Sequence, residues 1–173
     1  MIEIESYQKR CKDTQGGIKE FYIAPYEKWG KSDVSVLDMD LLFIPETAFY
    51  LFECNGTYNQ DSSTENGAVF FNQNIELQLP KIYNKFNALK FTKQYYRVIA
   101  KTNNNQYIIF GTYNGLEAKI SNASGGSKAE FSGFNISFSG KELDTGYFIT
   151  DLASANITII DSDLLNNDLN IDI

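Results

Sequence analysis

Polar and apolar positions alternate most regularly between Phe49 and Gln94, and the rest of the chain is organised around that stretch. It opens with an aromatic-rich segment, Phe49 to Tyr58. In the arm from Ala68 to Leu79, Val69, Phe71, Ile75, Leu77 and Leu79 share one side, interrupted only by Gln73. Asn72, Asn74, Glu76 and Gln78 share the other. A period of two predicts strands with one buried and one wet face. The two arms flank a polar run, Asn59, Gln60, Asp61, Ser62, Ser63, Thr64, Glu65, Asn66 and Gly67, which predicts a long β-hairpin with a nine-residue loop from 59 to 67. Pro80 lacks an N–H and ends the second arm. Ile82, Phe86 and Leu89 then fall at helical spacing, so one short amphipathic helix is expected between Lys81 and Gln94.

The same pattern places short strands elsewhere. Ile18 to Ile23 reads as the first, closed by Pro25. Val34 to Ile44 reads as one longer strand, with Leu37, Met39, Leu41 and Phe43 on one side and Asp38 and Asp40 on the other. Tyr95–Lys101 and Tyr107–Tyr113 flank Asn103-Asn104-Asn105, residues that tolerate left-handed backbone. Asn114-Gly115 is a further turn. Leu116–Ile120, Phe131–Ser139, Tyr147–Thr150 and Ile157–Ile160 complete the set. The expected fold is all-β and mainly antiparallel: a β-sandwich or partly open β-barrel with a long hairpin and one short flanking α-helix. Residues 1–150 read as a single β-domain. Residues 151–173 read as an acidic, Asn-rich extension, an extra strand or an arm, with a loosely held tail from 161.

Composition narrows the chemistry. The 173 residues are 43% hydrophobic and 14% aromatic, enough for a core without staples. The net charge of −7 argues against a basic nucleic-acid-binding face. Two cysteines, Cys11 and Cys54, do not make a disulfide framework and leave a single Cys11–Cys54 bridge as the one pairing available. Met1 to Glu5 lacks the apolar core of an ordinary signal peptide, and no apolar run approaches about 18 residues, so no membrane span is expected. With no histidine, Ser-His-Asp and Cys-His catalysis and His-based zinc sites are excluded. Neither phosphate-cradling glycine motif occurs. One carboxylate pair remains. Asp38 and Asp40 on one strand face would stand about 7 Å apart, a spacing that suits an inverting glycosidase, although a solvated strand face is the simpler reading. Asp161-Ser162-Asp163 begins like a calcium loop but lacks its glycine and terminal glutamate. The Asn-x-Ser/Thr sites at Asn55, Asn122, Asn135 and Asn156 are incidental to an Asn-rich chain. Trp29, Phe70-Phe71 and Tyr95-Tyr96 are candidates for a sugar-binding platform, though such residues more often serve as strand core or interface. No catalytic residue, cofactor or metal is expected. A carbohydrate- or protein-binding β-sandwich module is one functional reading.

Three stretches suggest another. Cys11-x-Asp13-x-x-Gly16-Gly17-Ile18 leads. Tyr58-Asn59-Gln60, Phe71 and Ile75-Glu76-Leu77-Gln78-Leu79-Pro80-Lys81 follow. Last come Tyr107-Ile108-Ile109-Phe110-Gly111, Asn114-Gly115-Leu116-Glu117-Ala118 and Phe134-Asn135-Ile136-Ser137-Phe138-Ser139-Gly140-Lys141-Glu142. Over residues 11–142 this order resembles the tail-tube-like virion proteins of tailed double-stranded DNA phages. The resemblance implies a barrel-like pair of sheets with a flanking helix and a long hairpin. It implies rings, usually of six, stacked into a tube through which DNA passes without specific binding. The implied partners are other copies and other tail proteins, with no membrane, in a virion tail made in the host cytoplasm. Tail terminators, hubs and connectors share such folds and are alternatives. The resemblance brings no catalytic residues. It makes Asn72, Asn74, Glu76 and Gln78 candidates for the duct lining and residues 59–67 a candidate inter-subunit loop.

Overall fold

The computed structural model describes residues 17–79, 94–126, 130 and 132–161. The described chain is almost entirely β-strand. The strands are β1 (Ile18–Pro25), β2 (Ser35–Leu37), β3 (Asp40–Phe43), β4 (Thr47–Glu65), β5 (Ala68–Leu79), β6 (Tyr95–Thr102), β7 (Tyr107–Phe110), β8 (Leu116–Ala123), β9 (Gly133–Glu142), β10 (Tyr147–Ile149) and β11 (Ile157–Ile160). A 3-10 turn spans Lys31–Asp33. The mainly antiparallel all-β expectation is met. The expected helix between Lys81 and Gln94 and the tail beyond Asp161 lie outside the described residues, apart from Gln94 itself.

Six strands close on themselves. They pair in the order β1, β4, β5, β9, β8, β6, and β6 pairs back to β1. The circuit then branches, because β6 changes partner along one edge. Tyr95 and Tyr96 face β8, while Val98 to Lys101 face β7. From β7 the sheet runs on through β10 and β3 to β2. Among the described residues, only β10–β3 and β11–β4 pair in parallel.

This branching explains why parts of β1 and β6 are apolar on both sides. Phe21 and Ile23 point into the core enclosed by the circuit, with Ile75, Leu77, Val98, Phe110, Leu116, Ile136 and Phe138. Tyr22 and Ala24, the intervening residues, point into a second core with Leu41, Ile44, Phe49, Ile99, Ile109, Ile149 and Ile157. Each fully buried Ile, Leu or Phe contributes about 1.5–3 kcal/mol, so both faces of these strands carry stability. Ala155 and Ile157 belong to the second core, and β11 pairs with β4, so part of the expected extension packs as core.

Two expectations are corrected. Val34 to Ile44 is not one strand: β2 and β3 form a hairpin about Asp38 and Met39, both left-handed at φ 50° and 71°. A two-residue turn pairs residue i with i+3 and so swaps odd and even positions between faces, putting Val36 of β2 on the same face as Leu41 of β3, and without a glycine it is hard to see in the sequence. Leu37 is 60% exposed, and Met39 and Phe43 are exposed too, whereas Leu41 is buried. Asp38 thus sits in a turn and Asp40 opposite Leu37, and the strand-face carboxylate pair does not exist. Nor is the segment from Asn59 to Gly67 a loop. Residues 59–65 continue β4 and pair with β5 in unbroken register to Glu65 opposite Ala68. Only Asn66 and Gly67 turn, at φ 49° and 81°. Backbone pairing does not depend on side-chain polarity, and the Asn-Gly turn sets the register that zips the polar residues together.

The four buried polar side chains among the described residues, Gln73, Arg97, Thr112 and Glu142, meet at one corner, the β7–β8 connection from Gly111 to Gly115. Gln73 Oε1 accepts from the Gly111 N–H at 2.9 Å. Arg97 donates to the Thr112 carbonyl through Nε at 3.1 Å and Nη2 at 3.0 Å. The Glu142 carboxylate accepts from the N–H groups of Tyr113, Asn114 and Gly115. Arg97 also stacks on Trp29, its guanidinium carbon 3.2 Å from the ring centroid. Burial pushes its pKa down to about 10, against the pull of Tyr26, Glu142 and Glu27.

Two substitutions test this account. Arg97→Met removes both bonds to Thr112 and the cation beside Glu142, and should lower unfolding free energy in urea by about 3 kcal/mol or more. Gly56 sits where β1, β4 and β5 meet, and a Cβ there would lie 2.3 Å from the Glu76 carbonyl and 2.6 Å from the Phe21 ring. Gly56→Ala should cost about 1–3 kcal/mol in the same measurement.

Candidate functional site

The outward face of the circuit on β4, β5, β9 and β8 is a continuous polar sheet. The expected row, Asn72, Asn74, Glu76 and Gln78, does point away from buried Gln73, Ile75 and Leu77. On one side it is flanked by Asp61, Asn59, Thr57 and Asn55 of β4. On the other lie Lys141, Ser139, Ser137 and Asn135 of β9, and beyond them Glu117, Lys119 and Ser121 of β8. Strand alternation over a filled core forces this arrangement: with Ile75, Leu77, Ile136 and Phe138 facing in, their neighbours must face out.

The side chains on this face bind one another lightly. Asn72 Nδ2 donates to Asp61 Oδ2 at 3.1 Å, and Asn74 Nδ2 to Glu76 Oε1 at 3.4 Å. Lys141 pairs with Glu65 near the hairpin tip and lies over the Phe70 ring. Acidic Asp61, Glu65, Glu76 and Glu117 are interspersed with Lys119 and Lys141. A shallow trough of about 660 Å³ crosses all four strands, lined by Thr57, Glu76, Gln78, Ser137, Lys119 and Ser121 among others.

The expected loop residues divide between the two sides of the hairpin. Asn59, Asp61, Ser63 and Glu65 lie on the polar face. Gln60 turns inward, where its Oε1 accepts from Gly146 N at 2.8 Å and Gln73 Nε2 at 3.1 Å. Ser62 and Thr64 share the side of Gln60, and Asn66 and Gly67 form the tip. Reading the sequence found the row on β5 but not its continuation. The alternation Asn135, Ser137, Ser139 was legible, but its apposition to β5 is a long-range pairing that no local pattern encodes.

No grouping of three or more His, Cys, Asp or Glu side chains able to hold a metal occurs among the described residues. Cys54 is a buried free thiol whose pKa burial pushes up to about 12, the reverse of a reactive cysteine. Tyr147 is pushed upward by burial and by its bonds to Tyr113 and Asp144. The aromatic residues considered for a sugar platform are otherwise engaged. Trp29 stacks on Arg97, Tyr96 is core, and Tyr95 meets Tyr26 edge-on.

No protein-family model, curated protein or solved structure matches this chain.

The clearest ion pair off this face joins β1 to β6. Lys101 Nζ lies 3.0 Å from Glu20 Oε2, which also accepts from Tyr22 Oη at 2.6 Å. Burial raises the Glu20 pKa, but these two donors outweigh it and hold the carboxyl below its ordinary 4.5. The folded chain therefore releases this proton more readily than the unfolded chain. Its contribution is complete above the unfolded pKa and is lost as pH falls through the folded one. Glu20→Gln should cost about 0.5–1 kcal/mol near neutrality, a partly exposed pair being worth no more. The gap between the two proteins in urea unfolding should close as pH drops below 4.5.

Proposed function

We propose that this chain is the subunit of a ring, usually of six, that stacks into the tail tube of a double-stranded DNA phage, and that the polar face lines the duct. The observation that carries the reading is the face itself: four adjacent strands presenting Asn, Gln, Ser and Thr with few, mixed charges. A polyanion slides past such a wall without being held, whereas a basic wall would gain affinity by counterion release. The net charge of −7 per chain favours the same behaviour.

The dimensions are compatible. Four strands at about 4.8 Å spacing span about 19 Å, so six subunits give roughly 115 Å around and roughly 37 Å across the backbone. Side chains occupying about half of a ~10 Å sheet spacing on each side leave a bore of roughly 27 Å, wide enough for a B-form duplex. On this reading the partners are other copies, other tail proteins and passing DNA, with no cofactor and no catalytic turnover. A terminator, hub or connector would use the same ring once rather than repeatedly. The sugar-binding alternative loses support from the engagement of Trp29, Tyr95 and Tyr96.

Electron microscopy of concentrated protein should show rings or tubes with this face inward. Changing Asn74 and Glu76 together to Lys adds about twelve cations to a ring of six and should make DNA retention strong and salt-dependent. Tubes should still assemble, DNA delivery should slow, and higher salt should partly restore it. Delivery at the normal rate, or an assembly with these side chains on its outer wall, would refute the proposal.

A further inference from the structure

Asparagine followed by glycine readily loses its side-chain amide, because glycine has no side chain to hinder attack by its own nitrogen. The sequence holds three such dipeptides, Asn55-Gly56, Asn66-Gly67 and Asn114-Gly115, and the fold treats them differently. Asn55-Gly56 lies within β4, where Gly56 pairs with Ile18 of β1 on one side and Leu77 of β5 on the other. The Glu76 carbonyl and the Phe21 ring crowd Gly56, so this backbone cannot swing while the strands stay paired. At Asn114-Gly115 both reacting ends are tied. The Gly115 N–H donates to Glu142 Oε1 at 3.2 Å, and Asn114 Nδ2 donates to the Lys141 carbonyl at 2.8 Å. Asn66 and Gly67 are instead exposed at the hairpin tip, with open space around Gly67. Glu65 and Ala68 exchange the bonds that close a two-residue turn, so the Gly67 N–H has no place in the ladder. β9 pairs with β5 only as far as Phe71, and β1 pairs with β4 only as far as Gly56. Toward its tip the hairpin is thus two strands alone among the described residues, an arrangement that opens easily. The Lys141–Glu65 pair reaches the tip from β9, but an ion pair this exposed adds little.

We propose that Asn66 is a site of spontaneous covalent modification, deamidation through a cyclic imide, and that the fold suppresses the same reaction at Asn55 and Asn114. The turn holds Asn66 and Gly67 left-handed at φ 49° and 81°, and the ring forms when the tip opens from that geometry. The Gly67 nitrogen attacks Asn66 Cγ. A new N–C bond forms, the Cγ–Nδ2 bond breaks, and the displaced amine takes the Gly67 proton and leaves as ammonia. Water then opens the imide at one of its two carbonyls, its oxygen going to carbon and a proton to nitrogen. Opening on the side-chain bond gives aspartate, and opening on the main-chain bond gives isoaspartate. Nothing is oxidised or reduced, and water is the only co-reactant. Either product places a new carboxylate beside Glu65. Isoaspartate also adds one carbon to the main chain within the turn that sets the register of β4 on β5. The inference concerns the chemistry of the tip and not the polar face, so it stands apart from the duct reading.

Peptide mapping by mass spectrometry tests it on the full chain kept folded in mildly alkaline buffer, with a parallel sample unfolded in urea. Water labelled with heavy oxygen marks the newly formed carboxylates, and fragmentation that separates aspartate from isoaspartate reads both products. In the folded chain Asn66 should convert at least about tenfold faster than Asn55 or Asn114, because only its opening leaves the two cores and the corner intact. In urea the three sites should convert at similar rates, since each is then the same dipeptide in an unfolded chain. Amide hydrogen exchange on the aged protein should be faster at Thr64 and Glu65 and unchanged where β5 pairs with β9. Equal conversion of the three sites in the folded chain would overturn the proposal, as would faster conversion at Asn55 or Asn114. No conversion at Asn66 over the time in which the unfolded chain reacts would overturn it too. A preference for Asn66 that persists in urea would also count against it, because the selectivity would then lie in the neighbouring residues and not in the fold.

Discussion

The hydrogen bonds that hold Gly111 to Gly115 decide whether this sheet can branch. A connection that leaves β7, turns and re-enters as β8 beneath a packed sheet brings its backbone N–H and C=O groups out of water. Each such group left unpaired costs about 1–3 kcal/mol. Five of them are met by three side chains from three strands: Gln73 of β5, Arg97 of β6 and Glu142 of β9. Arg97 stands where β6 passes from β8 to β7, between Tyr96 on one partner and Val98 on the other. Two charged groups at 0% and 1% exposure would be liabilities if they only faced each other. Here each is spent on backbone, and the aromatic faces of Trp29 and Tyr26 shelter the cation.

The polar face depends on that corner. Because the sheet branches at β6, the second core takes the outer side of β1 and β6, with Tyr22, Ala24 and Ile99 packed into it. β5, β8 and β9 carry no second layer among the described residues, so their outer sides stay wet. One closed circuit is thus dry on both sides at one wall and dry on one side at the other. A six-strand circuit without a branch would be wet all round and would hold one core where this molecule holds two.

Much of the architecture was legible in local pattern. Alternation placed β5 and most of β9, and the Asn-rich and Asn-Gly signals placed the turns at Asn105 and Gly115, both with positive φ. Two failures have definite causes. The turn at Asp38-Met39 was hidden because the apolar odd positions Leu37, Met39, Leu41 and Phe43 mimic one continuous strand although the reversal swaps their faces, and because the turn holds no glycine. The polar half of β4 was read as loop because a strand paired on one edge and wet on its faces needs no apolar residues. Gln73 was visible as an anomaly in an apolar row, and its cause proved to be the corner, 38 residues away in sequence. Long-range pairing of that kind has no local signature, and for the same reason half of the polar face went unseen.

The division of labour between the two sides of the circuit bears on what can change. Specificity for this fold resides in the inward residues, where Ile75, Leu77, Ile136 and Phe138 fill a closed space and any change of volume is felt. The outward residues at the alternating positions make few bonds, and those are weak or exposed. Replacing Asn74 or Ser137 removes little that the fold needs, since surface changes away from caps and strained backbone usually fall within about 0.5 kcal/mol. A face of this construction can be tuned for what passes over it while the register beneath stays fixed by the core and by the turn at Asn66-Gly67. That independence suits a wall whose chemistry has to match a passing polymer while its geometry has to match identical neighbours.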